Sequence, residues 1–237
     1  MRTFIEESLR ILSEVIYPRH CLLSGTYLGT AETLLPGVGN EALARELPAP
    51  FGAALEVLVQ RHVAADDFLL MRVSSCWAVG RTSSIDAVIY AIKYGGRAHL
   101  AVELGRLMAQ HPDMLDLPDE AAIVGVPIHP ARRRERGYNQ AHLLSRGLAE
   151  TRSLLLLDEG TVLRSRYTPT QTSLDQHDRQ DNVRSAFTVP DLGRVRGRHI
   201  VLVDDVLTTG ATLNSCATAL IEAGARRVDA MTACVAM

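Results

Sequence analysis

The rhythm of apolar positions changes near residue 81. Ahead of it, Phe4, Ile5, Leu9, Leu12 and Ile16 recur at helical spacing, and a second helical stretch is expected near 51–63. Between them Pro18, Gly25, Gly29, Pro36, Gly37 and Gly39 punctuate the chain, so residues 1–80 read as a small irregular region. From 81 onward the order is regular. Ile85, Val88, Ile89 and Ile92 predict a helix stopped by Gly95-Gly96, and another helix follows over about 97–110. Ala121–Val126 is a short apolar run closed by Pro127, which predicts a buried strand. Glu135–Glu150 reads as helix, Thr161–Leu163 as a short strand and Ile200–Val203 as a central strand. Thr209–Ala223 reads as helix up to Gly224, and Val228–Val235 as the last strand. Strands alternating with helices predict an α/β domain over 81–237, a parallel sheet flanked by helices. Such sheets bind ligands at the carboxyl ends of their strands.

Composition adds a partition of charge. Twenty-five basic and 27 acidic residues give a formal charge of −2, so no global field recruits a polyanion. Yet residues 131–198 hold thirteen Arg against eight acids, and this cationic stretch ends beside Asp204-Asp205. That division suits a small anionic ligand. No apolar run reaches the roughly 18 residues of a membrane span. Glu6 and Glu7 stand where a secretory signal carries basic residues. Four scattered cysteines suggest a reducing cytoplasm.

Ile200–Thr212, read as IVLVDDVLTTGAT, is the strongest chemical signal. An apolar strand stops at two carboxylates, passes a Thr- and Gly-containing turn and enters a helix. Carboxylates there can accept hydrogen bonds from paired sugar hydroxyls. The turn offers backbone N–H groups, hydroxyls and a helix dipole to a phosphate. No Gly-Lys-Ser/Thr exists for a Walker-type loop. A second constellation, Val124–Gln140, ends a strand at Pro127 and crowds Arg132, Arg133, Arg134 and Arg136 into the next segment. Such a run alone is commonly a solvated face. Its place after a strand of a parallel sheet favours phosphate recognition.

The Ile200–Thr212 string resembles the signature by which type I phosphoribosyltransferases bind 5-phosphoribosyl 1-pyrophosphate (PRPP). The Pro-x-His-Pro loop at Pro127, the Arg-x-Arg-Gly-Tyr-Asn-Gln string ending at Gln140 and Ile92-Lys93-Tyr94-Gly95-Gly96 narrow the resemblance to the ComF family, linked to bacterial competence and DNA uptake. So does the block from Arg164 through Thr168-Pro169-Thr170-Gln171-Thr172 to Arg179, Asn182 and Phe187. The matches span about residues 85–237.

The resemblance implies a type I phosphoribosyltransferase-like fold and transfer of a phosphoribosyl group from PRPP to an unidentified base or amine, with pyrophosphate released. Asp204 and Asp205 would hold the ribose, and Val206, Leu207, Thr208, Thr209, Gly210, Ala211 and Thr212 the 5′-phosphate. Pro127, Ile128, His129, Arg132 and Arg133 would hold pyrophosphate, with Lys93 beside them, although a Lys there can also satisfy a helix dipole. The long polar stretch carrying Thr168, Gln171, Arg179 and Asn182 would be a flexible loop over the sugar. Mg²⁺ would arrive on PRPP, with no dedicated protein cage.

Family members usually open with a zinc ribbon. Here its first knuckle reads Cys21-Leu22-Leu23-Ser24 and the second is missing, so a metal-free remnant is expected. Cys216 and Cys234 are expected in the core. Two other functions stay open: a non-catalytic PRPP sensor or adaptor, and an accessory protein of single-stranded DNA uptake. The expected partners are accordingly PRPP with its acceptor, the uptake machinery or its DNA, and further copies of the chain.

Overall fold

A computed structural model describes residues 20, 21, 26, 53–63, 67–79, 85–164 and 186–236. Helix α1 is Ala53–Gln60, strand β1 Val73–Val79, α2 Ile85–Tyr94 and α3 Ala98–Met108. The one-turn α4 (Pro112–Leu115) leads to β2 (Ala122–Gly125), α5 (Pro130–Arg136), α6 (Gln140–Arg152) and β3 (Leu155–Leu156). Then come β4 (Leu163–Arg164), β5 (Phe187–Thr188), β6 (His199–Leu207), α7 (Ala211–Glu222) and β7 (Arg227–Ala236).

Five strands form a parallel sheet in the order β1-β7-β6-β2-β3. The continuous apolar run of β6 is explained by its central place, with both faces buried. Ile200 and Leu202 pack with Leu55 and Val59 of α1 and Leu213, Cys216 and Leu220 of α7. Val201 and Val203 face the other layer, with Ile92, Leu100, Leu104, Leu144 and Leu148 from α2, α3 and α6. Each side chain so buried contributes about 1.5–3 kcal/mol relative to exposure. Cys216 and Cys234 lie in these cores as expected.

At the amino end of the sheet His199 and Asp229 are both buried, with Nε2 and Oδ2 2.9 Å apart. Arg227 Nε donates to the other oxygen of Asp229 at 2.9 Å. Burial pushes the Asp229 carboxyl up, but the bonds from His199 and Arg227 outweigh it and hold the group below its ordinary value. These contacts join β6 to β7 at the end of the sheet away from Asp204.

Four expectations about elements need correction. β1 lies within the stretch read as irregular, because Ser74 and Ser75 are buried and blur its apolar pattern. β6 does not stop at the carboxylates: pairing with β7 continues through Val206↔Cys234 and Leu207↔Val235. The helix expected over 135–150 is two helices. Gly137 closes α5 with φ 84°, a conformation open to glycine, and Asn139 caps α6. The strand expected at 161–163 is β4, displaced to Leu163–Arg164 and paired antiparallel with β5 outside the main sheet. Among the described residues, no helix is long and apolar enough to cross a membrane.

Candidate functional site

From β2 the chain proceeds through α5 and α6 to β3, while from β6 it proceeds through α7 to β7 on the other side. β2 and β6 are neighbours, so the connections diverge between them and leave a crevice at their carboxyl ends. β2 ends at Gly125, opposite Val203, and Val126 N adds one bond to Val203 O at 2.9 Å. Beyond it, β6 keeps only its β7 partner. A cavity of about 300 Å³ opens there, lined by Asp204, Asp205 and Thr212, by Val126–His129, and by Lys93, Tyr94, Arg132, Arg136, Gln140 and Arg164.

Asp205 is 5% exposed, and its Oδ2 lies 2.9 Å from Lys93 Nζ at the end of α2. Lys93 thus has a carboxylate partner, which a purely dipole-satisfying role would not require. Asp204 is half-buried and its Oδ1 accepts from Asp205 N at 2.9 Å. Burial, then the Asp205 charge, pushes the Asp204 carboxyl up to about 7, against the Asp205 N–H bond, Lys93 and Arg164. A carboxyl raised in this way holds its proton more tightly folded than unfolded. Its contribution to stability is therefore present at low pH and lost as pH rises from about 4 through 7. The melting temperature of Asp204→Asn is expected to exceed that of the parent by roughly 5 °C at pH 8, with the gap closing at pH 5. Thermal scans at the two pH values check this.

The turn after β6 leaves Thr208 and Thr209 exposed, while Gly210 is buried at φ 75° and caps α7. A Cβ on Gly210 would lie 2.5 Å from Val59 Cγ1, so α1 closes one side of the turn. Thr209 Oγ1 accepts from Ala211 N at 3.4 Å. Val206 and Leu207 pack into the cores and take no part in the cavity lining. Across the crevice, His129 Nδ1 accepts from Ala131 N at 3.1 Å and caps α5, with Pro130 in the first turn.

Arg132 lines the cavity, but Arg133 does not: it pairs with Glu159. Arg136, one helical turn beyond Arg132, takes the lining position instead. That i,i+4 spacing was a signal available in the sequence. Gln140, Tyr94 and Arg164 also line the cavity without having been candidates. The Arg164 guanidinium lies 5.4 Å over the Phe187 ring. Burial lowers its pKa, while the facing Asp204 raises it. Thr168, Gln171, Arg179 and Asn182 lie outside the described residues.

Lys93, Arg132, Arg136 and Arg164 face two carboxylates, of which Asp204 holds its proton near neutrality. The lining therefore carries more positive than negative charge. Among the described residues no three His, Cys, Asp or Glu gather to hold a metal. The donor set fits Mg²⁺ only as an ion sharing Asp204 or Asp205 with the oxygens of an anionic ligand. Cys21 is buried in the core, Cys76 sits in β1, and Ser24 lies outside the described residues.

Residues 147–236 match the family described as "Phosphoribosyl transferase domain". With the parallel sheet and its crevice, this defines a type I phosphoribosyltransferase-like protein. The chain is 31% identical over 220 residues to the DNA utilization protein YhgH of Escherichia coli (strain K12), covering 90% of this chain and 89% of that one. It is 36% identical over 159 residues to the protein of that name from Salmonella typhimurium (65% and 68% covered). It is 33% identical over 152 residues to Competence protein F of Haemophilus influenzae (61% and 65%). The chain belongs to the ComF family. A similar solved structure is the glutamine PRPP amidotransferase of B. subtilis, at 23% identity and a TM-score of 0.40, covering 58% of this chain and 26% of that one.

Proposed function

We propose that the crevice binds PRPP and that the protein transfers its 5-phosphoribosyl group to a nitrogen base or amine. The observation that carries this reading is one cavity joining the Asp204-Asp205 strand end, the α7 amino terminus with Thr212, and four cations. Asp204 and Asp205 hold the ribose hydroxyls, and Thr208–Thr212 the 5′-phosphate. The Pro127–His129 loop, Arg132 and Lys93 hold the pyrophosphate, with Arg136 and Arg164 added to that group.

In the transfer the C1–O bond to pyrophosphate breaks and its electron pair leaves with pyrophosphate. The acceptor lone pair forms the new C1–N bond, and the acceptor proton passes to solvent. Asp204 or Asp205 would share a Mg²⁺ ion arriving on PRPP, which would supply neutralising charge to the pyrophosphate oxygens. Lys93, Arg136 and Arg164 are each held by a neighbouring side chain, which lets them stabilise developing charge with little reorganisation. We assign the reaction to the cytoplasm and to a DNA utilization or competence setting, the latter supported by the names of the relatives.

A screen of bases and amines for PRPP-dependent pyrophosphate release tests the transfer. Release with one acceptor class is expected. PRPP binding with no release from any acceptor would leave the protein a sensor of PRPP.

One observation favours a second reading, contact with single-stranded DNA. Tyr90 and Tyr94 are 66% and 59% exposed, with ring centroids 5.0 Å apart, and Arg136 lies 5.3 Å over Tyr94. Exposed Arg132 of α5 lines one surface cleft with Tyr94 and Arg136. The aromatic and cationic groups that single-strand binding needs are thus contributed by two helices. Steeply salt-dependent binding of an oligonucleotide, weakened about tenfold by Tyr94→Ala, is the expected outcome on this reading.

A further inference from the structure

The four residues Gly137-Tyr138-Asn139-Gln140 join the two α-helices that follow β2, and three of them reach parts of the crevice. Gly137 N closes α5 on Arg133 O at 2.8 Å and turns the chain. Tyr138 Oη donates to Ile92 O, the carbonyl just before Lys93. Burial pushes the phenol's pKa up, so it remains a donor. Asn139 is 3% exposed; its Nδ2 donates to Val126 O at 3.1 Å and its Oδ1 accepts from Ala141 N at 3.1 Å. Gln140 Oε1 accepts from Arg136 Nη1.

Val126 has left the strand. Its N–H still bonds β6, but no backbone N–H among the described residues donates to its carbonyl, the Asp205 N–H on β6 being bonded to Asp204 Oδ1, and a buried carbonyl needs a partner. Asn139 is that partner. The residue that starts α6 thus also fixes the chain immediately before Pro127–His129, and Tyr138 fixes the turn that carries Lys93.

We propose that Asn139, assisted by Tyr138, is a positioning residue for the anion-holding half of the crevice. It touches no ligand itself. It holds the Val126–His129 backbone, and Tyr138 holds the Lys93 turn, so that both meet one pyrophosphate. This rests on the PRPP reading above and adds to it the residues that set the loop's geometry.

Asn139→Asp isolates the effect. The carboxylate keeps the acceptor for Ala141 N and remains a good helix cap, but sets an oxygen against Val126 O in place of a donor. Titrations with pyrophosphate and with ribose 5-phosphate, each with Mg²⁺, separate the two ends of the site. The expected result is pyrophosphate affinity about tenfold lower, from loss of roughly one buried hydrogen bond's positioning, with ribose 5-phosphate affinity within twofold of the parent. Tyr138→Phe, which removes only a hydroxyl, is expected to show the same selectivity at about threefold, and serves if Asn139→Asp does not fold. Equal loss for both ligands in the folded variants, or no loss for either, overturns the positioning role. A parent protein that binds neither ligand overturns the PRPP reading, and this role falls with it.

Discussion

Asp205→Asn is expected to lower affinity for PRPP and for ribose 5-phosphate by about a hundredfold or more. Two effects combine. On the proposed reading the carboxylate is the buried acceptor for a ribose hydroxyl, and a hydrogen bond to a charged group contributes about 1.5–3 kcal/mol. The substitution also leaves Lys93, 2.9 Å away, without its anionic partner in a largely buried position. The freed ammonium then turns to the other end of the crevice, so pyrophosphate affinity is expected to hold or rise. Calorimetry with the three ligands distinguishes this pattern from a general loss of fold, which would weaken all three together. Unchanged ribose 5-phosphate binding would remove Asp205 from the site.

The second large effect concerns the phosphate turn. Gly210→Val places a branched side chain at φ 75°, with its Cβ 2.5 and 2.6 Å from the two methyl carbons of Val59. A strained backbone conformation costs about 1–3 kcal/mol, and overpacking a tight contact about 1–3 more. The expected fall in melting temperature is about 5–20 °C for a chain of this size. Ribose 5-phosphate binding should be lost with it, since the turn and α1 cannot both keep their places. Val59→Ala in the Gly210→Val background relieves the steric part alone. Recovery of some melting temperature without recovery of phosphate binding is the expected result, whereas full recovery of both would show that backbone conformation at 210 is immaterial.

The parts of this site that were legible in the sequence are those written in consecutive residues. Asp204, Asp205 and Thr212, which line the cavity, stand in one string that combines a strand, a turn and a helix start, whereas residues 206–211 of that string do not line it. The Cys216 and Cys234 positions followed from apolar periodicity in the same way. What was not legible depends on segments far apart. Nothing local says that Lys93 meets Asp205 or that Tyr138 reaches Ile92, because both contacts arise only when α2 and the α5–α6 junction converge on the sheet. β1 was hidden because its buried faces include serines, and β6 was cut short because carboxylates look like a strand end until β7 supplies a partner beyond them.

The charge partition was sharpened as well. Of the thirteen Arg in residues 131–198, Arg132, Arg136 and Arg164 line the crevice among the described residues. Arg133 and Arg194 instead pair with Glu159 and Asp158. Helical phase decides between Arg133 and Arg136: one turn from Arg132 faces the cavity, one residue from it does not. Among the described residues the cationic stretch therefore offers the crevice a few side chains, while Arg133, Arg146 and Arg194 form surface ion pairs.

The central claim is that one crevice holds both ends of PRPP. Calorimetric titration of the protein with PRPP in the presence of Mg²⁺ tests it most directly. The expected result is a single saturable site per chain from which pyrophosphate and ribose 5-phosphate each displace PRPP. Absence of saturable PRPP binding, or binding that neither fragment displaces, would contradict it.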